Sequence, residues 1–137
     1  MTHLLDTSAV LAHARGEPGA ERVQRLFEQE DSSLLLCSVT LAELARRLRE
    51  LGASPDEAWE QISSYREAVD EVVPVDETVA REGDRLSLAA TARVPLVDAL
   101  IAAAATTRQA ALVHRDVHMR GFSADLVPQL DLEAPGS

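Results

Sequence analysis

Ser33-Leu34-Leu35-Leu36-Cys37-Ser38-Val39-Thr40-Leu41-Ala42-Glu43-Leu44-Ala45-Arg46-Arg47-Leu48 changes its hydrophobic pattern midway. Leu34 to Cys37 is unbroken apolar sequence, which is how a strand covered on both faces reads, and polar Asp31-Ser32-Ser33 bounds it upstream. From Leu41 onward the apolar positions become Leu41, Leu44, Ala45 and Leu48, the spacing of one helix face, and Gly52 supplies a stop. A doubly covered strand that runs into a helix belongs to an α/β architecture with a parallel sheet.

The same alternation extends outward in both directions. Thr2 to Leu5 reads as a first strand, and Asp6-Thr7-Ser8 reads as a turn whose side chains can cap a short helix over Ala9 to Ala14. Gly16-Glu17-Pro18-Gly19 breaks that helix, and another follows with Val23, Leu26 and Phe27 on one face. Downstream, Ser54-Pro55-Asp56-Glu57 is a capping box with proline in the first turn, opening a helix that continues through Ile62, Tyr65 and Val69. A third strand is expected over Glu71 to Val75, helices over Glu77 to Ala90 and Val97 to Arg108, and a fourth strand over Ala111 to His114. A short edge strand near Leu130 to Leu132 completes the pattern. The expectation is a three-layer α/β fold with a mainly parallel central sheet of four to five strands, one domain over 1–132 and a flexible tail over 133–137.

Composition narrows the function classes. The chain has 137 residues, 46% of them hydrophobic, enough for one core without disulfides. Cys37 is the single cysteine, so no intramolecular disulfide is possible, and its apolar surroundings mark it as a buried small hydrophobe. No apolar run is long enough to span a membrane and the N-terminus lacks a secretory pattern, so a cytoplasmic location is expected. Thirteen basic residues, all arginine, stand against 23 acidic ones for a net charge of −10, which excludes polyanion binding through bulk charge and leaves only local contacts.

Parallel wiring places ligands at the carboxyl ends of the strands. Asp6 follows the first strand, Glu43 lies in the first turn of the helix after the second, and Asp116 follows the fourth. Gln109-Ala110 is too short to cross the domain, so the helix before the fourth strand must begin near the carboxyl edge, bringing Asp98 there as well. Four carboxylates in one place repel one another, and a divalent cation removes the conflict. Oxygen donors favour Mg²⁺, with Mn²⁺ the alternative, and such an ion suits phosphodiester hydrolysis. His114 and His118 have a zinc-like spacing, but they fall on a strand end and loop with one thiol in the whole chain, so zinc is not expected.

Leu4-Leu5-Asp6-Thr7-Ser8-Ala9, Ser38-Val39-Thr40-Leu41-Ala42-Glu43-Leu44, Pro95-Leu96-Val97-Asp98-Ala99-Leu100-Ile101-Ala102-Ala103 and Leu112-Val113-His114-Arg115-Asp116 resemble, in order, the successive motifs of PIN-domain nucleases, and the likeness to VapC toxins extends over almost the whole chain. The resemblance implies a PIN-like fold and a Mg²⁺-dependent endoribonuclease that hydrolyses RNA with a metal-activated water. It implies Asp6, Glu43, Asp98 and Asp116 as catalytic and metal-binding acids, with Ser8 a polar neighbour of the first. A VapB-like antitoxin and a homodimer are its expected partners. His114 stands where the family often has threonine or serine, and His118 where a further acid often follows.

Blander roles compete for each residue. Asp6 and Asp98 could cap helices, and Glu43 could be the capping-box partner of Thr40. Arg46, Arg47 and Arg115 are candidates for guiding a phosphate backbone, together with Ser8, although Arg46 and Arg47 are also spaced to pair with Glu43 along their own helix. Phe27, Trp59, Tyr65 and Phe122 are too scattered for a base-stacking platform and read as packing or interface residues. A PIN nuclease of RNA processing without an antitoxin, or a non-catalytic PIN-like binding module, are the remaining alternatives. A phospho-accepting signalling domain would want a lysine near its acids, and a haloacid-dehalogenase phosphatase would want Asp-x-Asp at Asp6.

Overall fold

The computed structural model describes residues 1–134; of the expected tail, 135–137 lie outside the described residues. The chain runs β1 (Thr2–Leu5), α1 (Thr7–Arg15), α2 (Ala20–Glu28), β2 (Ser33–Cys37), α3 (Ser38–Glu50), α4 (Pro55–Ala68), β3 (Glu71–Val73), α5 (Glu77–Ala89), α6 (Leu96–Thr107), β4 (Ala111–His114), a 3-10 turn (Val117–Gly121) and β5 (Gln129–Asp131). The strands form one five-stranded sheet in the order β3-β2-β1-β4-β5, and every pairing is parallel. This is the expected three-layer architecture.

Alternation along the strands decides which side each residue covers. Leu4, Leu35, Cys37 and Leu112 join α5 and α6 in one core, through Val79, Leu86 and the run Ala102 to Ala105. Leu5, Leu34, Leu36 and Val113 join α1 to α4 in the other, through Val10, Val23, Leu44 and Ile62. The unbroken apolar run of β2 is thereby explained, because neither of its faces meets solvent. Small residues let α6 lie close to α5: a Cβ added at Gly83 would stand 3.1 Å from Leu100 Cδ2. Among the described residues no helix is long and apolar enough to cross a membrane.

The topology also fixes the position of the functional edge. The crossovers from β1 to β2 and from β2 to β3 progress in one direction, whereas that from β3 returns past β1 to β4. Right-handed crossovers in opposite directions put their helices on opposite faces, which is where the two cores place them. The chain leaving β1 turns to the α1 face, while that leaving β4 enters the 3-10 turn, whose Met119 packs on the α5–α6 side. A crevice opens between such diverging loops.

Several boundaries differ from expectation for local reasons. Helix α1 begins at Thr7 because Asp6 is its N-cap, accepting from the Ser8 N–H, and it ends on Gly16 at φ 62, a conformation that glycine adopts without penalty. Helix α3 begins at Ser38 with no loop after β2, which moves Glu43 from the first turn to the second. Strand β3 stops at Val73, because Pro74 has no N–H to continue the ladder. The capping box at Ser54 and Glu57 forms as read.

Candidate active site

Asp6, Thr7, Ser8, Leu11, Glu43, Arg47, Asp98 and Asp116 line one recess of about 180 Å³ at the carboxyl edge of the sheet. The acids arrive from four places: the β1–α1 junction, the second turn of α3, the first turn of α6 and the residue capping the 3-10 turn. A larger apolar cleft of about 410 Å³ lies between α1, α2 and α4, lined by His13, Phe27, Gln61 and Tyr65, and contains no carboxylate.

Hydrogen bonds orient these side chains from the protein side. Asp6, only 2% exposed, accepts through Oδ2 from the Ser8 backbone N–H at 3.2 Å and from Ser8 Oγ at 2.5 Å. Ser8 Oγ in turn accepts from the Arg115 N–H at 2.8 Å, tying the start of α1 to the segment after β4. The buried Thr7 hydroxyl lies 2.6 Å from Glu43 Oε1, to which it donates, and 3.1 Å from the Thr40 hydroxyl. Neither threonine caps α3, whose N-cap Cys37 has no side-chain bond. Glu43 is therefore held by Thr7 across the sheet edge and is not a capping-box partner of Thr40. Asp116 caps the 3-10 turn, its Oδ1 accepting from His118 N at 2.9 Å.

The electrostatics reflect crowding. Burial raises the Asp6 carboxyl to about 6 against the opposing Ser8 hydrogen bonds, with Asp116 and Glu43 adding to the rise. Asp98 is pushed to about 7, first by burial and then by the charges of Asp116, Asp6 and Glu43. Such shifts are a cost to the folded chain unless a cation compensates them.

His118, discounted above as half of a zinc pair, stands beside the acids. Its Nδ1 stands 3.2 Å from Asp116 Oδ1 and 3.7 Å from Asp98 Oδ2. The bond from Asp116 Oδ1 to the His118 N–H brings the ring there, a local turn that periodicity does not reveal. Thr7 was likewise read only as a turn and cap residue. His114 behaves differently: it is buried, its Nδ1 accepts from Asp116 N at 3.2 Å and its Nε2 lies 2.8 Å from Gln129 Oε1. That network assigns the proton to Nε2 and leaves the His114 ring no free donor for a metal, so the two histidines do not form a zinc pair.

The arginines divide. Arg47 lines the recess and pairs with Glu50 at 2.9 Å instead of with Glu43. Arg46 is 78% exposed and 3.9 Å from the same Glu50, outside the recess. Arg115 contributes its backbone to Ser8, while its guanidinium turns to Glu17 at 3.3 Å and Glu133 at 3.9 Å. The aromatics lie elsewhere. Phe27 and Tyr65 cluster with His13, Phe122 is buried and Trp59 is half-exposed on α4.

The donors fit a divalent ion. Four carboxylates meet in the recess, and Asp98, Asp116 and His118 offer ligand atoms that all lie within 4.8 Å of one another. Oxygen-rich sets of this kind suit hard cations.

Comparison with known proteins places the fold. Among solved structures, the chain is similar to VapBC-5 from Mycobacterium tuberculosis, at 27% identity, TM-score 0.60 and coverage of 95% of this chain and 98% of that one. VapBC-1 from nontypeable Haemophilus influenzae matches at 20% identity with TM-score 0.75, over 96% of this chain and 98% of that one. FitAcB from Neisseria gonorrhoeae matches at 24% identity with TM-score 0.73, over 98% and 100%; these last two likenesses establish the fold alone. A search of curated proteins found no match. The family model for the PIN domain matches residues 3–123, and the chain belongs to the PIN domain family.

Proposed function

We propose that this protein is a metal-dependent endoribonuclease, the toxin of a VapBC-type pair, in which Asp6, Glu43, Asp98 and Asp116 are the catalytic acids. The observation that carries the reading is their convergence from four separate elements on one recess, at the edge where parallel topology opens a crevice. A bound Mg²⁺ or Mn²⁺ supplies neutralisation of phosphate charge and a more acidic water. Asp6, Asp98 and Asp116 would hold the ion. Ser8 fixes Asp6, and Thr7 fixes one oxygen of Glu43, leaving Oε2 without a protein hydrogen bond among the described residues and available to the ion or the attacking water.

A VapB-like antitoxin as partner is supported by the likeness to VapBC-5, a member of a family of toxin-antitoxin systems, and RNA as substrate rests on the resemblance of the four acidic motifs to those of PIN-domain nucleases. Arg47 at the wall of the recess is the local cation that offsets the acidic surface for an approaching phosphate, with Arg46 beside it on the same helix. A homodimer is supported by the exposed Leu88, Leu96 and Val117, the last two flanking Asp98 and His118 in sequence. Sequencing RNA ends from cytoplasm expressing the wild-type chain or Asp6→Asn tests the reading. Discrete new 5′ ends in the wild type that vanish in the variant are expected; identical end profiles refute it.

A further inference from the structure

An imidazole nitrogen stands beside two of the acids that line the recess. His118 Nδ1 lies 3.2 Å from Asp116 Oδ1 and 3.7 Å from Asp98 Oδ2, and its place is fixed from the backbone by the bond from its own N–H to Asp116 Oδ1. Neighbouring ligands of an octahedral ion with bonds of about 2.1 Å stand about 3 Å apart. The separation of His118 from Asp116 matches such an edge, and that from Asp98 lies between an edge and a diagonal. Among the described residues no hydrogen bond to another residue engages the His118 ring, which is half-exposed and can adjust by rotation.

We infer that His118 is a direct nitrogen ligand of the active-site ion and that it makes this site prefer Mn²⁺ to Mg²⁺. The inference rests on the metal-site reading above and goes beyond it in naming a ligand and a selectivity. Mg²⁺ is a poor partner for imidazole and holds its waters tightly, whereas Mn²⁺ binds nitrogen more readily and tolerates looser geometry. An imidazole ligand also joins the four carboxylates without adding a further negative charge, so selectivity is gained without deepening the repulsion already felt at Asp6 and Asp98.

The test is electron spin-echo spectroscopy of Mn²⁺ bound to the wild-type protein, His118→Ala, His118→Asp and Asp98→Asn, with Mg²⁺ competition for each. The expected wild-type spectrum contains ¹⁴N modulation from a coordinated imidazole. That modulation disappears in both His118 variants. His118→Ala loses about tenfold or more in Mn²⁺ affinity, while His118→Asp recovers binding through oxygen and shifts the Mn²⁺ over Mg²⁺ preference towards Mg²⁺. Because His118 is a half-exposed residue of a surface turn, both variants should fold, and circular dichroism checks this. Mn²⁺ bound in the wild type without ¹⁴N modulation, or equal Mn²⁺ preference in His118→Asp, overturns the inference and leaves the carboxylate site standing. Failure of the wild type to bind Mn²⁺, or Mn²⁺ binding untouched by Asp98→Asn, removes the site and the inference together.

Discussion

Replacing Asp6 by asparagine should stabilise the metal-free protein while destroying its activity, and the pH dependence of the gain identifies the cause. The Asp6 carboxyl rises from 3.8 to about 6 on folding, so between those values the folded chain retains a proton that the unfolded chain has released. Wild-type stability is thus undiminished at low pH, declines as pH rises through that window, and stays reduced above it. A shift of roughly two units corresponds to about 3 kcal/mol at pH 8, about half that at pH 5 and well under 1 kcal/mol at pH 4. Asp6 is 2% exposed, so solvent screening takes little from these figures. Asparagine keeps an oxygen for Ser8 N and Oγ, and its amide protons can be donated to neighbouring carboxylates. For a chain of this length the gain at pH 8 corresponds to about 10 °C in Tm. Differential scanning calorimetry in EDTA at pH 4, 5 and 8 measures it. A lower Tm for Asp6→Asn at pH 8, or an increase of equal size at all three pH values, would refute the electrostatic account.

Asp98→Asn should reduce RNA cleavage to the level of wild type treated with EDTA, with its circular dichroism spectrum unchanged; gel assays on a mixed RNA pool decide this. Thr7→Val removes the hydroxyl that donates to Glu43 and contacts Thr40; it should cost about 1–2 kcal/mol of stability in urea titration and lower kcat more than it raises KM. Arg47→Glu should weaken RNA binding to the catalytically silent Asp98→Asn protein and flatten the salt dependence by roughly one ion, with Arg46→Glu having a smaller effect in the same direction. Unchanged binding would confine both arginines to their pairs with Glu50. Leu96→Glu should convert a dimer to monomers in analytical ultracentrifugation, and an unaltered sedimentation profile would exclude that face from the interface.

The layer architecture was legible because periodicity reports burial directly. Leu34 to Cys37 announced a strand covered twice, and alternate side chains of that run do enter opposite cores. Asp98 could be brought to the correct edge from the shortness of Gln109-Ala110 alone, since chain connectivity limits where a helix can begin. Glu43 was assigned to the right edge but the wrong turn, because nothing in Ser38-Val39-Thr40 distinguishes a loop from a helix whose N-cap makes no side-chain bond. Val75 was included in β3 although the ladder ends at Val73, before Pro74. The contacts of His118 and Thr7 escaped for a different reason. Their roles depend on contacts that no period encodes: a turn closed by a carboxylate on its own downstream N–H, and a hydroxyl reaching a glutamate on another helix. The arginine pairing was anticipated in kind, yet Glu50 was the partner, leaving Glu43 to Thr7.

Anomalous diffraction from crystals grown in Mn²⁺ tests the central claim most directly. An anomalous peak enclosed by the carboxylates of Asp6, Asp98 and Asp116 is the expected result, absent from crystals of Asp98→Asn grown in the same solution. A recess without a peak while Mn²⁺ appears at other surface carboxylates, or a peak that persists undiminished in Asp98→Asn, would contradict the claim that these acids converge to hold one ion.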